Sequence, residues 1–419
     1  MSQVAPEIEA SSDGLSEADR PAPAEASIRL LHLTTVPESL RFLSGQARYM
    51  RDWGIETHAL SSPGDELGSF AAREGVHAHG VQMARRITPI RDLLAIYRIC
   101  RVLRSVRPRI VHAHTPKAGV LGMVAARLER IPVRIYHLHG LRFMTAKGFA
   151  RSLLRWTDKI SCLLAHRVLC VSNSVRDVAV REGICSAEKI RVLLGGSING
   201  IDLQRFQPAD ARARAAGRAA LGIPLDAFVV GFVGRVVREK GIVELAAAWQ
   251  MLRERFADLW LLIIGPVEPQ DPVPAEVLAA LRSDPRVTMR DLDWDTPPLY
   301  AAMDLLALPT YREGFPVTPL EAAAMGLPVI ATHTLGCVDA VAEGVTGMLI
   351  PPRNVPALVE AVARYRADPR LRREHGEAGR ARVSRDFRQE AIWNAMREEY
   401  FALLDERRCS GARLRNALT

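Results

Sequence analysis

A rhythm constrains this chain more than any single motif: short apolar runs alternate with longer helical stretches, and the rhythm starts twice. The first set is IRLLHLT (Ile28 to Thr34), ETHALSS (Glu56 to Ser62), VHAHGV (Val76 to Val81), IVHAH (Ile110 to His114), VRIYHLH (Val133 to His139), VLCVS (Val168 to Ser172) and IRVLL (Ile190 to Leu194). After a turn-rich segment, GGSINGIDLQRFQP (Gly195 to Pro208), come FVVGFVG (Phe228 to Gly234), LWLLIIG (Leu259 to Gly265), VTM (Val287 to Met289), DLLALP (Asp304 to Pro309), PVIA (Pro328 to Ala331) and GMLI (Gly347 to Ile350). Strands separated by helices pair in parallel beneath a helical cover. The expected fold class is therefore α/β, with two tandem doubly wound Rossmann-like domains facing a cleft. Ligands of such sheets sit beyond the carboxyl ends of the strands, so the cleft is the expected site.

A length of 419 residues suits two cores better than one. The expected map is an acidic disordered tail over 1–26, a first domain over 27–200, a second over 201–388, and a C-terminal helix over 389–419 that can cross back to the first domain. The tail lacks the basic start and apolar core of a signal peptide. No apolar run approaches the length of a bilayer span. Cys100, Cys162, Cys170, Cys185, Cys337 and Cys409 form no CxxC pair. Neither a zinc site nor a disulfide framework is expected, and the expected compartment is a reducing cytoplasm.

Net charge is +9, and its placement says more than its size. Residues 27–200 carry 27 Lys or Arg against 12 Asp or Glu, whereas residues 201–419 are close to neutral. Such a one-sided excess points the first half at an anionic partner. RDLLAIYRICRVLRSVR sets Arg91, Arg98, Arg101, Arg104 and Arg107 near one helical stripe. KGFARSLLRWTDKISCLLAHR sets Lys147, Arg151, Arg155 and Lys159 four apart, between Phe149, Leu153, Trp156, Ile160 and Leu163. One reading is a pair of sheet-covering helices with solvated faces. The other is peripheral docking on an anionic membrane, where each base adds about 1 kcal/mol. No zinc finger, recognition helix or RNA-binding aromatic signature is present, so no nucleic-acid partner is expected.

The chemistry concentrates in EGFPVTPLEAAAMGLPV (Glu313 to Val329), in the loop after an expected buried strand. Thr318 reads as a helix N-cap, with Pro319 at the first helical position and Glu321 closing a capping box. That structural role leaves Glu313 and the Gly-Phe-Pro turn unexplained. A turn feeding a helix N-terminus offers free N–H groups to a phosphate, and a carboxylate beside it accepts hydrogen bonds from sugar hydroxyls. Two carboxylates around such a cradle suit a nucleotide sugar. GFVGRVVREKG (Gly231 to Gly241) adds Arg235 and Lys240 past another strand end, a cation pair fit for a diphosphate or for a solvated loop. Its spacing is neither a Walker motif nor GxGxxG.

EGFPVTPLE resembles the E-x7-E motif of retaining GT-B glycosyltransferases. Together with GRVVREKG, GVTGMLIPP and the order of the motifs, it resembles glycosyltransferase family four. TTVPESLRFLSGQ, VHAHTPKAGVLGMVAA, YHLHG and GSINGID resemble the branch that builds bacterial capsular and related surface polysaccharides. The resemblance spans roughly residues 28 to 400. It implies that Arg235 and Lys240 hold the donor diphosphate and that Glu321 binds the ribose. Glu313 would face the transferred sugar, and the backbone at Gly314, Phe315 and Val317 would lie near the phosphate. His139 would contact the donor sugar near the reacting carbon, making His139 and Glu313 the catalytic candidates.

Acceptor-side candidates are Ser44 and Gly45 on the Thr35 to Gln46 loop, with His114 and Lys117 after the IVHAH strand. His112 and His114 are expected on opposite strand faces, with one of them toward the cleft. Asn199 suits either a hinge or a contact. Two positions depart from the family pattern: Val338 stands where a base is common, and Tyr311-Arg312 stand where a small hydroxyl residue is common. The implied reaction moves a sugar with retention from a nucleotide diphosphate sugar, UDP-linked by preference, to a polyprenyl-diphosphate-linked saccharide. It would run on the cytoplasmic face of the membrane, with no metal and no cofactor; Asp291 and Asp293 read as a turn. The alternatives are a nucleotide-sugar epimerase of related fold and a non-catalytic assembly component at the membrane surface.

Overall fold

The computed structural model describes residues 27–84, 88–291 and 295–416. The acidic tail and Asp293 lie outside them. Every apolar run quoted above contains a strand. The first sheet is built from β1 (Ile28–Leu33), β2 (Ile55–Ser61), β3 (His77–Gly80), β4 (Ile110–His114), β5 (Val133–Leu138), β6 (Arg167–Cys170) and β7 (Ile190–Arg191), in the order β3-β2-β1-β4-β5-β6-β7. The second uses β8 (Phe228–Val233), β9 (Leu259–Ile264), β10 (Val287–Arg290), β11 (Leu305–Leu308), β12 (Val329–Thr332) and β13 (Gly347–Ile350), in the order β10-β9-β8-β11-β12-β13. All ladder pairs are parallel.

The runs are apolar throughout because parallel strands are covered on both faces. Leu30, Leu31 and Leu33 of β1, and Leu261 to Ile264 of β9, are all buried. Each sheet reverses its strand order once, between β1 and β4 and between β8 and β11. The loops at those carboxyl ends diverge and leave a crevice. The two crevices carry the site.

The final helix, Gln389–Asn416, returns to the first sheet. Met396, Tyr400, Leu403 and Leu404 share a core with Leu30, Ile110, Val133 and Ile135. Arg167 at the start of β6 reaches Glu399 on this helix at 2.5 Å. The return begins where Ile201 N–H donates to the Phe387 carbonyl at 2.8 Å and Gln389 N–H donates to the Ile201 carbonyl at 3.2 Å.

Candidate active site

The Glu313 turn lies between the end of β11 and the helix Thr318–Ala324. Lys240 comes from the turn after β8, the neighbouring strand, and its Nζ meets Glu313 Oε1 at 2.5 Å. The two side chains are only 16% and 11% exposed, so solvent screens the pair weakly. Gly241 makes the approach possible. It has φ +76°, and a β-carbon there would lie 2.0 Å from the Pro309 carbonyl oxygen.

Glu321 differs from its expected role. Thr318 is the first helical residue, Pro319 the second, and Val317 stands at the N-cap with helical backbone angles and no side-chain cap. The capping box is therefore absent, and the Glu321 carboxylate turns inward instead. Tyr300 Oη donates to its Oε2 at 2.6 Å. Burial raises the Glu321 pKa, and the Tyr300 hydrogen bond pulls it back down. Glu321, Thr318 and Gly234 line a cavity of about 430 Å³, and Ser44 and Gly45 of the first half line it too. Two of the four residues expected on the acceptor side thus share a cavity with the expected ribose ligand. The sequence around Tyr300 gives no sign of this partnership.

Gly314 is a point of close approach between the halves. A β-carbon on it would sit 1.7 Å from the His139 carbonyl oxygen. Ser172 Oγ donates to the Gly314 carbonyl at 2.8 Å. Nearby, Asp339 accepts hydrogen bonds from Asn173 N–H at 3.1 Å and from the Ser174 hydroxyl at the start of the helix Asn173–Arg181. Gly336 N–H donates to Ser174 Oγ at 2.9 Å. Val338, which departs from the family pattern, is exposed beside this clamp. Asn199 ties a third place: its Nδ2 donates to the Ser44 carbonyl at 2.9 Å, and its Oδ1 accepts from Trp393 Nε1 at 2.7 Å.

Arg235 is held by two carboxylates, Glu268 and Glu239, each at 2.9 Å. Glu239 also takes Arg312 at 2.8 Å. Tyr311 points elsewhere. Its hydroxyl donates to Glu244 at 2.5 Å, and Arg353 lies over its ring at 4.4 Å. Phe315 packs against Phe387, with ring centroids 5.5 Å apart.

The histidines correct one expectation outright. His112 and His114 share a strand face, because residues two apart return to the same side. Their rings stack at 4.3 Å. His114 is 2% exposed, and its Nδ1 lies 3.2 Å from His139 Nε2. His139 is the half-buried residue just past the end of β5, 5.7 Å from the Phe42 ring. Burial pushes its imidazole down to about 4, so it is neutral at neutral pH. Lys117 is drawn aside by Asp92, at 2.7 Å.

Three strand-end loops, after β5, β8 and β11, thus bring a neutral histidine, a Lys–carboxylate pair and a half-buried carboxylate to one cleft between Rossmann-like sheets. Family models match both halves: a glycosyl transferase 4-like domain over residues 40–196 and glycosyl transferases group 1 over residues 214–382. The chain is 32% identical to the capsular polysaccharide biosynthesis glycosyltransferase CapM of Staphylococcus aureus, over 90% of this chain and 98% of that one. It is 27% identical to the Escherichia coli UDP-Gal:alpha-D-GlcNAc-diphosphoundecaprenol alpha-1,3-galactosyltransferase, over 68% and 73% of the two chains. Among solved structures it is similar to Anabaena HepE in complex with UDP. The TM-score is 0.74 at 20% identity, over 90% of this chain and all of that one, which speaks to the fold. The chain belongs to the GT-B glycosyltransferases. Within them it falls in the family-four group that includes capsular polysaccharide enzymes.

Proposed function

We propose that the chain transfers a sugar with retained configuration from a UDP-sugar to a polyprenyl-diphosphate-linked saccharide, in surface-polysaccharide assembly. The observation that carries this is the Lys240–Glu313 pair at the β8/β11 crevice, opposite His139. Lys240 and Arg235 receive the donor diphosphate. The bond between the sugar's anomeric carbon and the phosphate oxygen breaks, and the cations stabilise the charge left on the diphosphate. The acceptor hydroxyl attacks the same face, and its proton passes to the departing phosphate oxygen. Glu313 and Glu321 are committed to Lys240 and Tyr300, so neither is placed as the free nucleophile of a two-carboxylate glycosidase. Ribose hydroxyls bind at Glu321, and no metal enters the scheme. The diphosphoundecaprenol galactosyltransferase, as a relative, supports the acceptor class, and CapM supports the polysaccharide setting.

The acceptor's lipid places the enzyme at a membrane, and one face of the first sheet fits that place. The helix Pro116–Leu128 packs between the helices Pro89–Val106 and Gly148–Leu164. Their outer surface exposes Leu93, Tyr97, Leu128, Phe149, Trp156 and Leu163. Arg91, Arg98, Arg101 and Arg104 are exposed on the same layer. Apolar groups among bases suit the anionic inner leaflet, which is the cytoplasmic side. Among the described residues no helix is long and apolar enough to cross a membrane.

The test is nucleotide release from a panel of UDP- and GDP-sugars, with lipid extract present or absent, followed by NMR of the product's anomeric centre. Release that needs lipid, is strongest with a UDP-sugar, vanishes in Glu313→Ala and retains configuration supports the reading. Inversion removes the mechanism. Lipid-independent release favours an epimerase or hydrolase.

A further inference from the structure

We propose that His114 is a positioning residue for His139: a chain of ring-to-ring hydrogen bonds, His32–His114–His139, fixes which nitrogen of His139 carries its proton. This rests on the reading that His139 faces the sugar donor. His32 Nδ1 lies 2.9 Å from His114 Nε2, and His114 Nδ1 lies 3.2 Å from His139 Nε2. A neutral imidazole has one N–H and one bare nitrogen. The middle ring must therefore donate on one side and accept on the other. All three tautomers share one polarity and can change only together. With Nε2 of His139 engaged, Nδ1 is the nitrogen left for a ligand, and the chain decides whether it donates or accepts.

The sheet explains the alignment. His32 and His112 are register partners across β1 and β4, as are His114 and His137 across β4 and β5. His32 and His114 are each 2% exposed, so water does not replace a lost partner. Burial keeps these imidazoles uncharged, pushing His32 down to about 3. A second chain stands beside the first: Tyr400 Oη to His112 Nδ1 at 2.7 Å, then His112 Nε2 to His137 Nδ1 at 3.2 Å. The Tyr400 phenol anchors that chain at the C-terminal helix.

The rival occupant is a transition-metal ion, since nitrogens of His32, His112 and His114 lie within 4.8 Å of one another, as do those of His114, His137 and His139. Neither trio includes a carboxylate, so a divalent charge there would be buried without a balancing anion. The bonded nitrogens already stand at hydrogen-bond separations.

The test uses full-length protein labelled with 15N-histidine, with ring tautomers read from long-range 15N–1H correlations and the His139 ring assigned by its substitution. In the wild type His139 shows one neutral tautomer between about pH 6 and 8. His114→Leu gives averaged tautomers at His139 and lowers kcat about tenfold, with donor KM changed less than about twofold. His114→Asn, whose amide replaces Nδ1 but not the Nε2 that meets His32, leaves the His139 tautomers mixed. His32→Leu, at the far end, also mixes the His139 tautomers and serves if His114→Leu fails to fold. An unchanged His139 tautomer in both leucine variants overturns the proposal. So does stoichiometric zinc in the wild type that is lost from His114→Leu. If wild type transfers no sugar, the functional reading fails while the tautomer result still decides the positioning claim.

Discussion

A β-carbon on Gly314 would stand 1.7 Å from the carbonyl oxygen of His139. The second half of the chain thus meets the first through bare backbone at the candidate site. Gly314→Ala forces the halves apart there while touching neither core. We expect sugar transfer to fall about 100-fold, the loss typical of an ångström-scale misplacement. The melting temperature should move little, and the radius of gyration from small-angle X-ray scattering should rise. A variant with full activity would show that this contact is not needed for catalysis.

Lys240 and Glu313 should behave as one unit. Lys240→Ala removes the cation proposed to meet the donor phosphate and leaves a poorly exposed carboxylate unpaired. kcat/KM should fall about 100-fold. A double-mutant cycle with Glu313→Gln should give a coupling of about 1–3 kcal/mol. Additive losses would mean that the two groups act separately.

Tyr300→Phe should shift a pH profile. Burial already raises the Glu321 pKa, and the Tyr300 hydroxyl opposes that rise. Without the hydroxyl the carboxyl protonates at higher pH and donates where it should accept. Donor KM in the variant should therefore begin to climb at a higher pH, as pH falls, than in the wild type. Superimposable KM profiles would detach Glu321 from donor binding.

The histidine ladder predicts acid sensitivity. A histidine whose folded pKa is depressed binds its proton more readily in the unfolded chain. Its stabilisation is full above the unfolded value and is lost as pH falls toward the folded value. His32 at about 3 and His139 at about 4 set the lower end of that window. Each such group contributes a slope of about 1.4 kcal/mol per pH unit below about pH 6.5. Urea denaturation at several pH values should show it, with a shallower slope in His32→Leu.

Much of this was legible in the sequence, for a physical reason: strands buried on both faces must be apolar throughout, so each run announced itself. Strand ends then located Glu313, Lys240 and His139, because the turn residues Gly140, Gly241 and Gly314 follow them. What sequence could not show depends on partners far along the chain. Glu321 fits a capping pattern, yet Tyr300 holds its carboxylate inside. Lys117 follows a strand end, yet Asp92 takes it. His112 and His114 were open to a parity argument, since a spacing of two returns a strand residue to the same face.

Membrane docking has its own readout. Phe149 and Trp156 are 81% and 61% exposed on the helix Gly148–Leu164. Replacing both with Ser should weaken binding to anionic vesicles at least tenfold, with soluble nucleotide binding unchanged. Added salt should weaken the wild type as well. Equal binding to zwitterionic and anionic vesicles would remove the electrostatic part of the account.

The most direct test of the whole account is transfer of radiolabelled sugar from a UDP-sugar into the organic-solvent-extractable lipid fraction. Wild type and Lys240→Ala should be compared at matched folding. The account predicts label in the lipid fraction, dependent on a polyprenyl-diphosphate-linked saccharide and about 100-fold weaker in the variant. Transfer of label at equal rates by both proteins, or label found only as free sugar, would contradict it.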